Sequence, residues 1–387
     1  MRKLGIGTLV VALIGIGTLA STDASAVTAT GGHPLDCSNW RYTAADEPAS
    51  LPAEFDRNNY KRTSLRDPAI ATSPHQLCGQ KGSAVDLAWG VTRGRPDVRI
   101  AVLDSGIKWR DPGAMRDLAD RAYLNRGEVT PPCAVPSGDC NGDGRFSIAD
   151  FGAVTDRNGN GSADPEDLIL DPQYSNGRDD DGNGYVDDIS GWDFLFGDND
   201  ALDTVNYGHG TGEAEDSTAA DNGTGDVGTC PQCTFIPVRV GDSFIADAAR
   251  FGAGVLFGLD SGAAVIQEAL GAINNPRQAQ LAIDAAYERG VPVIASMADE
   301  ASKHPNLPGS LEHTLTVNSV TTSDGPTSYL ALNGCTNYGG RTFLSIPSGS
   351  CSSEATGIMS GVTGLLVSEA RAKGLTLSTN EILQLVR

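Results

Sequence analysis

From residue 99 onward, short apolar runs rich in β-branched residues alternate with segments of helical periodicity. This alternation constrains the fold more than any other feature, because it predicts a mostly parallel sheet with helices on both faces. One helix is predicted to begin at Pro276 and to end at Gly290. The sequence thus indicates a doubly wound α/β fold, whose functional site lies at the carboxyl ends of the strands. The predicted strands span 99–103, 235–240, 263–267, 291–296 and 315–320.

The N-terminal segment has the features of a secretory signal peptide. Arg2 and Lys3 precede an apolar run over 4–19, and Ala24 and Ala26 form an A-x-A cleavage motif. A membrane anchor is the alternative, but the run is short and rich in glycine. The mature protein is expected to be extracellular or periplasmic, without membrane attachment after signal cleavage. We predict a signal peptide at 1–26, a pro-segment or N-terminal extension at 27–85 and a main domain at 86–387.

The charge of the chain is strongly negative and unevenly placed. With 28 basic and 49 acidic residues, the formal net charge is −21. This balance disfavours binding of nucleic acid in a basic groove. Residues 131–200 hold 16 acidic residues and three arginines, a local net charge of −13. Such a block suggests cation binding, so we interpret 131–200 as an acidic calcium-loop insertion in the main domain.

The acidic block contains two nearly complete calcium-loop spacings and a third copy that lacks an acid at position 12. In this spacing, positions 1, 3 and 5 offer oxygen atoms, a glycine turns the chain at position 6 and an acid closes the loop at position 12. The copies resemble dockerin or thrombospondin type 3 calcium loops. Oxygen donors favour Ca²⁺ over zinc, and the alternative is a solvated acidic loop without metal. The candidate ligands are Asp139, Asn141, Asp143, Asp150, Asp156, Asn158, Asn160, Asp164, Asp167, Asp179, Asp181, Asn183 and Asp187.

All eight cysteines follow the predicted cleavage site, and an even number in an exported chain indicates disulfides. Nearness in sequence favours two local pairs, Cys133 with Cys140 and Cys230 with Cys233. The full connectivity stays open, because eight cysteines can pair in about 105 ways. A redox role for Cys230-Pro-Gln-Cys233 is a weaker alternative, since no matching fold context surrounds it.

Three separate segments carry side chains suited to nucleophilic catalysis. Asp104 follows the first predicted strand, His209 lies in the glycine-rich segment 206–212, and Ser353 precedes a largely apolar stretch. Each has a structural explanation by itself: an Asp-x-Gly turn, a structural histidine or a helix N-cap serine. Only their combination is informative.

In this order, the three segments resemble the subtilisin-like serine peptidases, or subtilases. L-D-S-G at 103–106 is similar to the acid motif of the family, H-G-T at 209–211 to its histidine motif and S-x-A-T at 353–356 to its serine motif. A second L-D-S-G at 259–262 follows the histidine and lacks a preceding β-branched strand, so Asp104 is the better candidate for the acid. The resemblance covers roughly residues 85–387.

The resemblance implies a serine endopeptidase that acts on protein or peptide substrates as a monomer. Ser353 would attack the scissile carbonyl, His209 would take and return the proton, and Asp104 would orient the imidazole. Residues 269–271 look like the strand that lies alongside the substrate, and 291–296 like the strand that leads to the oxyanion-binding residue.

One departure from the family pattern concerns that oxyanion position, where Asp299 replaces the usual Asn. An ionised carboxylate there repels the developing negative charge, whereas a protonated one can donate. Glu213, Glu268 and Glu354 add further carboxylates at positions where the family differs. We therefore expect an acid-shifted peptidase. The alternative is a catalytically impaired subtilase that acts as a calcium-stabilised binding or adhesion module.

Overall fold

The computed structural model of the protein describes residues 85–320, 335–348 and 350–386. The predicted signal peptide and nearly all of the predicted N-terminal extension lie outside the described residues, as do Cys37 and Cys78. The domain boundaries therefore stay predictions.

A seven-stranded parallel sheet forms the centre of the fold, in the order β2-β3-β1-β5-β7-β8-β9. A separate two-stranded ribbon pairs β4 with β6. The predicted strands are confirmed, with ends that shift by at most two residues. The strands are β1 (Arg99–Asp104), β2 (Trp192–Asp193), β3 (Thr234–Arg239), β4 (Ile245–Ala246), β5 (Val265–Glu268), β6 (Gly271–Ala272), β7 (Val293–Ser296), β8 (Thr314–Val320) and β9 (Leu344–Pro347).

Helices cover both faces of this sheet. The helix predicted between Pro276 and Gly290 is present, with Pro276 as its N-cap rather than its first helical residue. The α-helices are α1 (Val85–Trp89), α2 (Pro112–Leu118), α3 (Pro165–Ile169), α4 (His209–Thr218), α5 (Ala248–Asp260), α6 (Arg277–Glu288), α7 (Ser352–Ala372) and α8 (Thr379–Leu385). Short 3₁₀ turns lie at Ala119–Arg121 and Ile148–Phe151.

Strand β1 shows how the two faces are built. Ile100 and Val102 belong to the core beneath α4 and α7, whereas Ala101 and Leu103 belong to the core beneath α5 and α6. A strand buried on both faces is apolar throughout instead of alternating, which is the pattern seen in the sequence. After β1 the chain forms β2 and β3 on one side of the sheet and later crosses to β5 on the other. The predicted doubly wound fold is confirmed.

Three disulfides link cysteines of the described residues. Cys133–Cys140 and Cys230–Cys233 are the two predicted local pairs, and Cys335–Cys351 is a third pair that the sequence left open. The third disulfide ends directly before α7. Within the described part of the chain, no helix has the length and apolarity needed to cross a bilayer.

Candidate active site

Asp104 and His209 meet because the start of α4 packs against the carboxyl end of β1. Asp104 is the last residue of β1 and is buried, and His209 is the first residue of α4. The amide of Gly210 donates to Ser105 Oγ at 3.0 Å, which ties the helix to the strand end. A side chain at Gly210 would place its Cβ 2.5 Å from the Gly106 carbonyl oxygen. The glycine of the H-G-T segment is therefore required for this close approach.

A continuous set of hydrogen-bond contacts joins Asp104, His209 and Ser353. His209 Nδ1 lies 2.8 Å from Asp104 Oδ1 and 3.0 Å from Oδ2. His209 Nε2 lies 2.9 Å from Ser353 Oγ, in the first turn of α7. Tyr207 stacks on the imidazole, with its ring nearly parallel at a centroid distance of 5.5 Å. The structure thus brings together three residues that the sequence separates by more than a hundred positions.

The environment of His209 favours its protonated form. Burial lowers the pKa of His209, but the charge of Asp104, its hydrogen bond and the charge of Asp299 together outweigh burial and raise the pKa. The basic form is lost as pH falls through the raised pKa. As pH is lowered, a reaction that needs His209 as a base therefore stops at a higher pH than it would with an ordinary imidazole, whose pKa is about 6.5.

Asp299 lies beside the N-terminus of α7. Its side chain is exposed and lines a crevice together with His209 and Ser353. Its Oδ1 accepts from the Ser352 amide at 2.9 Å and from the Ser352 hydroxyl at 2.6 Å. Oδ1 is therefore an acceptor, and a proton available to a ligand would have to lie on Oδ2. The sequence placed Asp299 at the oxyanion position but gave no sign of its contacts with Ser352.

A crevice of about 690 Å³ runs past His209 and Ser353. Ala269 and Gly271, from the segment interpreted as the substrate strand, line it, as does the adjacent Ala272. Phe244 and Ile273 also line it and are 62% and 88% exposed. Sequence reasoning missed these two apolar side chains, because an isolated exposed hydrophobic residue has no signal in the chain. The crevice has the volume and the exposed apolar lining that suit a peptide.

A family model described as the subtilase family matches residues 95–386. The chain belongs to the subtilase family. Thermitase of Thermoactinomyces vulgaris is 30% identical over 194 residues, which are 48% of this chain and 69% of thermitase. The thermophilic serine proteinase of Bacillus sp. strain AK1 is 31% identical over 159 residues, which are 39% of this chain and 36% of that proteinase. The predicted family is confirmed, and with it the class of subtilisin-like serine endopeptidase.

A solved structure of a lanthipeptide protease supports the same fold. Its TM-score is 0.50 at 15% sequence identity, and the match covers 78% of this chain and 83% of that one. At this identity the likeness concerns the fold alone.

The second L-D-S-G segment of this subtilase has a structural role. Asp260 is the last residue of α5, is exposed and forms an ion pair with Arg289 at 3.0 Å. It has none of the burial or histidine contact that marks Asp104.

Carboxylates crowd the inner wall of the active-site crevice. Glu213 is buried four residues after His209, and its Oε2 accepts from Gln267 Nε2 at 2.9 Å. Burial raises the pKa of Glu213 well above its usual value, and the charges of Asp216 and Asp104 add to the effect. Burial likewise raises the pKa of Glu268, with a further contribution from Asp104; Glu268 is the last residue of β5 and is not among the residues that line the crevice. The sequence identified Glu213 and Glu268 but not Asp216, which faces Glu213 from the next turn of α4.

The acidic insertion of this subtilase folds into three similar loops. In each loop the first aspartate, Asp139, Asp156 or Asp179, accepts hydrogen bonds from amides three and five positions later. The atoms that the loops offer as metal ligands are carboxylate and side-chain amide oxygens, a set that fits Ca²⁺. The other predicted ligands in these loops are Asn141, Asp143, Asp150, Asn158, Asn160, Asp164, Asp167, Asp181 and Asn183.

The residues that close the loops differ. Asp150 and Asp167 accept from the amides of the second and third residues of their own loops. Asp187, predicted as a ligand of the third loop, instead accepts from the amides of Asn176 and Gly177 in a neighbouring turn. The structure does not bring Asp187 into the third loop.

Proposed function

We propose that this subtilase is an exported endopeptidase in which Ser353 is the nucleophile, His209 the general base and Asp104 the residue that orients the imidazole. The observation that carries the proposal is the unbroken set of contacts from Asp104 through His209 to Ser353 Oγ. Because Nδ1 faces the carboxylate, Nε2 is the atom available to accept the serine proton.

The proposed reaction proceeds in two stages. Ser353 Oγ attacks the scissile carbonyl carbon while its proton passes to His209 Nε2. The C–N bond of the resulting tetrahedral intermediate breaks as His209 returns the proton to the leaving amine. Water then hydrolyses the acyl-enzyme with the same base, and Ser353 is regenerated. The position of Ser353 in the first turn of α7 supports the assignment, because free amides at a helix N-terminus favour the developing oxyanion.

Asp299 gives the proposed enzyme a narrow pH window. The side chain assists the oxyanion only while Oδ2 carries a proton, which sets an upper limit. His209 must be unprotonated, and its raised pKa sets a lower limit above that of an ordinary histidine. The two groups therefore restrict activity from opposite sides. We keep the prediction of an acid-shifted optimum, which an optimum near or above about pH 8 would contradict.

The proposed role of the 131–200 insertion is to bind Ca²⁺ and to stabilise the fold. Bound calcium supplies positive charge that offsets part of the local net charge of −13. It takes no part in the proposed chemistry. Secretion is also proposed, since disulfides of the kind present here persist in oxidising compartments. The substrates are proteins or peptides, and the enzyme is proposed to act as a monomer without nucleic acid or membrane.

The proposal is tested by cleavage of unfolded casein between about pH 4 and 9 with calcium present. Wild-type protein is compared with Ser353→Ala, whose expected loss is on the order of 10⁶-fold. Absence of Ser353-dependent activity at every pH, in protein shown to be folded and matured, would favour the binding or adhesion module instead. Asp299 is the observation behind that alternative, because an ionised side chain opposes oxyanion formation.

A further inference from the structure

The third acidic loop lacks a closing acid of its own. Counted from Asp179, position 12 is Ser190, a buried residue whose hydroxyl donates to the Tyr123 carbonyl at 2.8 Å. In the first two loops, the position 12 acids are Asp150 and Asp167, and each accepts from the amides of loop positions 2 and 3. The third loop therefore needs another acceptor at this place.

Glu128 occupies that place, although it precedes the loop by about fifty residues. Its Oε1 accepts from the amide of Asp180 at 2.9 Å and from the amide of Asp181 at 3.2 Å. These are positions 2 and 3 of the third loop, so the contacts match those made by Asp150 and Asp167 in the other loops. The equivalent acid thus comes from a segment outside the loop.

The second carboxylate oxygen of Glu128 is buried without a hydrogen-bond partner in the described part of the chain, which is unusual. Glu128 is 6% exposed, and among the described residues its Oε2 has no hydrogen-bond partner. Carboxylate oxygens of Glu128, Asp179 and Asp181 lie within 4.8 Å of one another. Burial of a carboxylate oxygen without a partner is costly, and three like charges at this distance repel. A bound divalent cation removes both costs.

The segment before Glu128 is shaped to approach this loop. Asn125 Nδ2 donates to Asp181 Oδ2 at 2.9 Å. A Cβ atom at Gly127 would lie 2.4 Å from both Cβ and Oδ2 of Asp181, so only glycine permits this packing. The contact places the Glu128 carboxylate beside Asp179 and Asp181 rather than in solvent.

We propose that Glu128 completes a calcium site with Asp179 and Asp181, in the third loop of the insertion. This inference rests on the proposed calcium role of the acidic block and extends it to a ligand outside the loop motif. The site would link the segment that follows α2 and its 3₁₀ turn to the insertion, so that calcium binding holds the two together.

Calorimetric titration with Ca²⁺ tests the site on the full, calcium-stripped chain that carries Ser353→Ala to prevent autolysis. Glu128→Gln removes the charge but keeps the shape of the side chain. We expect it to lose one calcium site, or to weaken that site at least about tenfold. Asp180→Asn is the matched control, because it removes one charge from the same loop at a position outside the carboxylate cluster. We expect this control to retain every site.

Equal titrations of Glu128→Gln and Asp180→Asn would overturn the inference. Circular dichroism shows whether each variant is folded before titration. If Glu128→Gln does not fold, Asp181→Asn replaces it, because Asp181 is exposed and is expected to tolerate the change. Retention of all sites in folded Asp181→Asn would also overturn the inference.

The outcomes also separate this inference from the broader proposals. If wild-type chain binds no calcium, the calcium role of the whole block fails and this site with it. If Asp139→Asn and Asp156→Asn each lose one site while Glu128→Gln loses none, only the third site fails. The casein assay with Ser353→Ala decides the peptidase assignment independently.

Discussion

The active-site crevice and the acidic insertion both concentrate carboxylates, but the two regions satisfy them differently. Near the active site, Glu213 and Glu268 are buried with few donors, and burial raises the pKa of each. In the insertion, Asp139, Asp156 and Asp179 each accept hydrogen bonds from backbone amides of their own loops. Glu213 and Glu268 therefore favour bound protons, whereas the backbone amides of the insertion orient its first loop aspartates in a way that suits a cation. Burial nevertheless raises the pKa of Asp164 to about 6 and those of Asp188 and Asp200 to about 7 within the insertion.

This difference teaches that the number of acidic residues does not decide their role. The supply of donors and the depth of burial decide it, because a buried carboxylate without donors becomes neutral and a solvated, hydrogen-bonded one stays charged. Changes in the crevice should accordingly alter activity and its pH dependence. Changes in the insertion should alter stability and calcium binding. The following predictions test that separation.

After the loss expected for Ser353→Ala, the largest effect is expected from Asp104→Asn, which should lower kcat by about 10⁴-fold because the imidazole is then held in the wrong tautomer. Steady-state hydrolysis of a peptide substrate measures the change. Asp260→Asn is the matched control, since it changes the aspartate of the other L-D-S-G segment, which is exposed at the end of α5. Equal activity of the two variants would contradict the assigned role of Asp104.

Asp299→Asn should raise activity at neutral pH by about 10²- to 10³-fold, because an amide donates to the oxyanion at every pH. The Asn carbonyl oxygen can keep accepting from Ser352, while its NH₂ group faces the crevice. The pH profile should lose its upper limit and keep the lower limit set by His209. Glu300→Gln serves as the control for charge alone. A fall in activity would show that the contact with Ser352 requires a carboxylate.

Calcium removal should act on the insertion and lower thermal stability. A site in free Ca²⁺ at about a hundred times its Kd adds about 2.7 kcal/mol to the free energy of unfolding. Chelation should therefore lower the Tm and expose the chain to proteolysis. Differential scanning calorimetry with and without chelator, on the Ser353→Ala protein, measures the effect. Added Ca²⁺ should restore the Tm, whereas Mg²⁺ should not, because it requires a smaller octahedral site. Unchanged melting and proteolysis would contradict a calcium role for the insertion.

The smallest effect, taken per pH unit, concerns Glu213 and the pH dependence of stability. Its folded-state pKa is raised, so the protonated form stabilises the fold at low pH, and that contribution is lost as pH rises towards the folded-state value. Stability should decline by about 1.4 kcal/mol per pH unit in this interval. Glu213→Gln should flatten the decline at pH values above the ordinary glutamate value of 4.5. Urea unfolding at each pH measures it.

Glu288→Gln is the control for this experiment, because Glu288 is exposed on α6. Its pH dependence should match that of the wild type. An unchanged slope in Glu213→Gln would mean that other buried acids, and not Glu213, set the pH dependence of the fold.

The sequence by itself determined five of the seven strands of the parallel sheet, all except β2 and β9, and the order of the three motifs. Runs buried on both faces are largely apolar rather than alternating, and this local property was visible in β1 and β7. The motifs around Asp104, His209 and Ser353 were also visible, because the glycines and small residues that define each motif are neighbours in the sequence. Even the two disulfides that close short segments followed from spacing.

Only the tertiary structure decided which distant groups face one another. Asp299 accepts from Ser352 more than fifty positions away, and Glu128 reaches a loop whose own motif lacks the closing acid. Asp187 was assigned to that loop by its spacing, but its carboxylate instead accepts a hydrogen bond from the Asn176 amide in a neighbouring turn. Local propensity and spacing are encoded along the chain, whereas such contacts depend on how strand ends and loops converge in space. Burial and donor supply, which decide whether an acid holds a proton or faces a cation, exist only after that convergence.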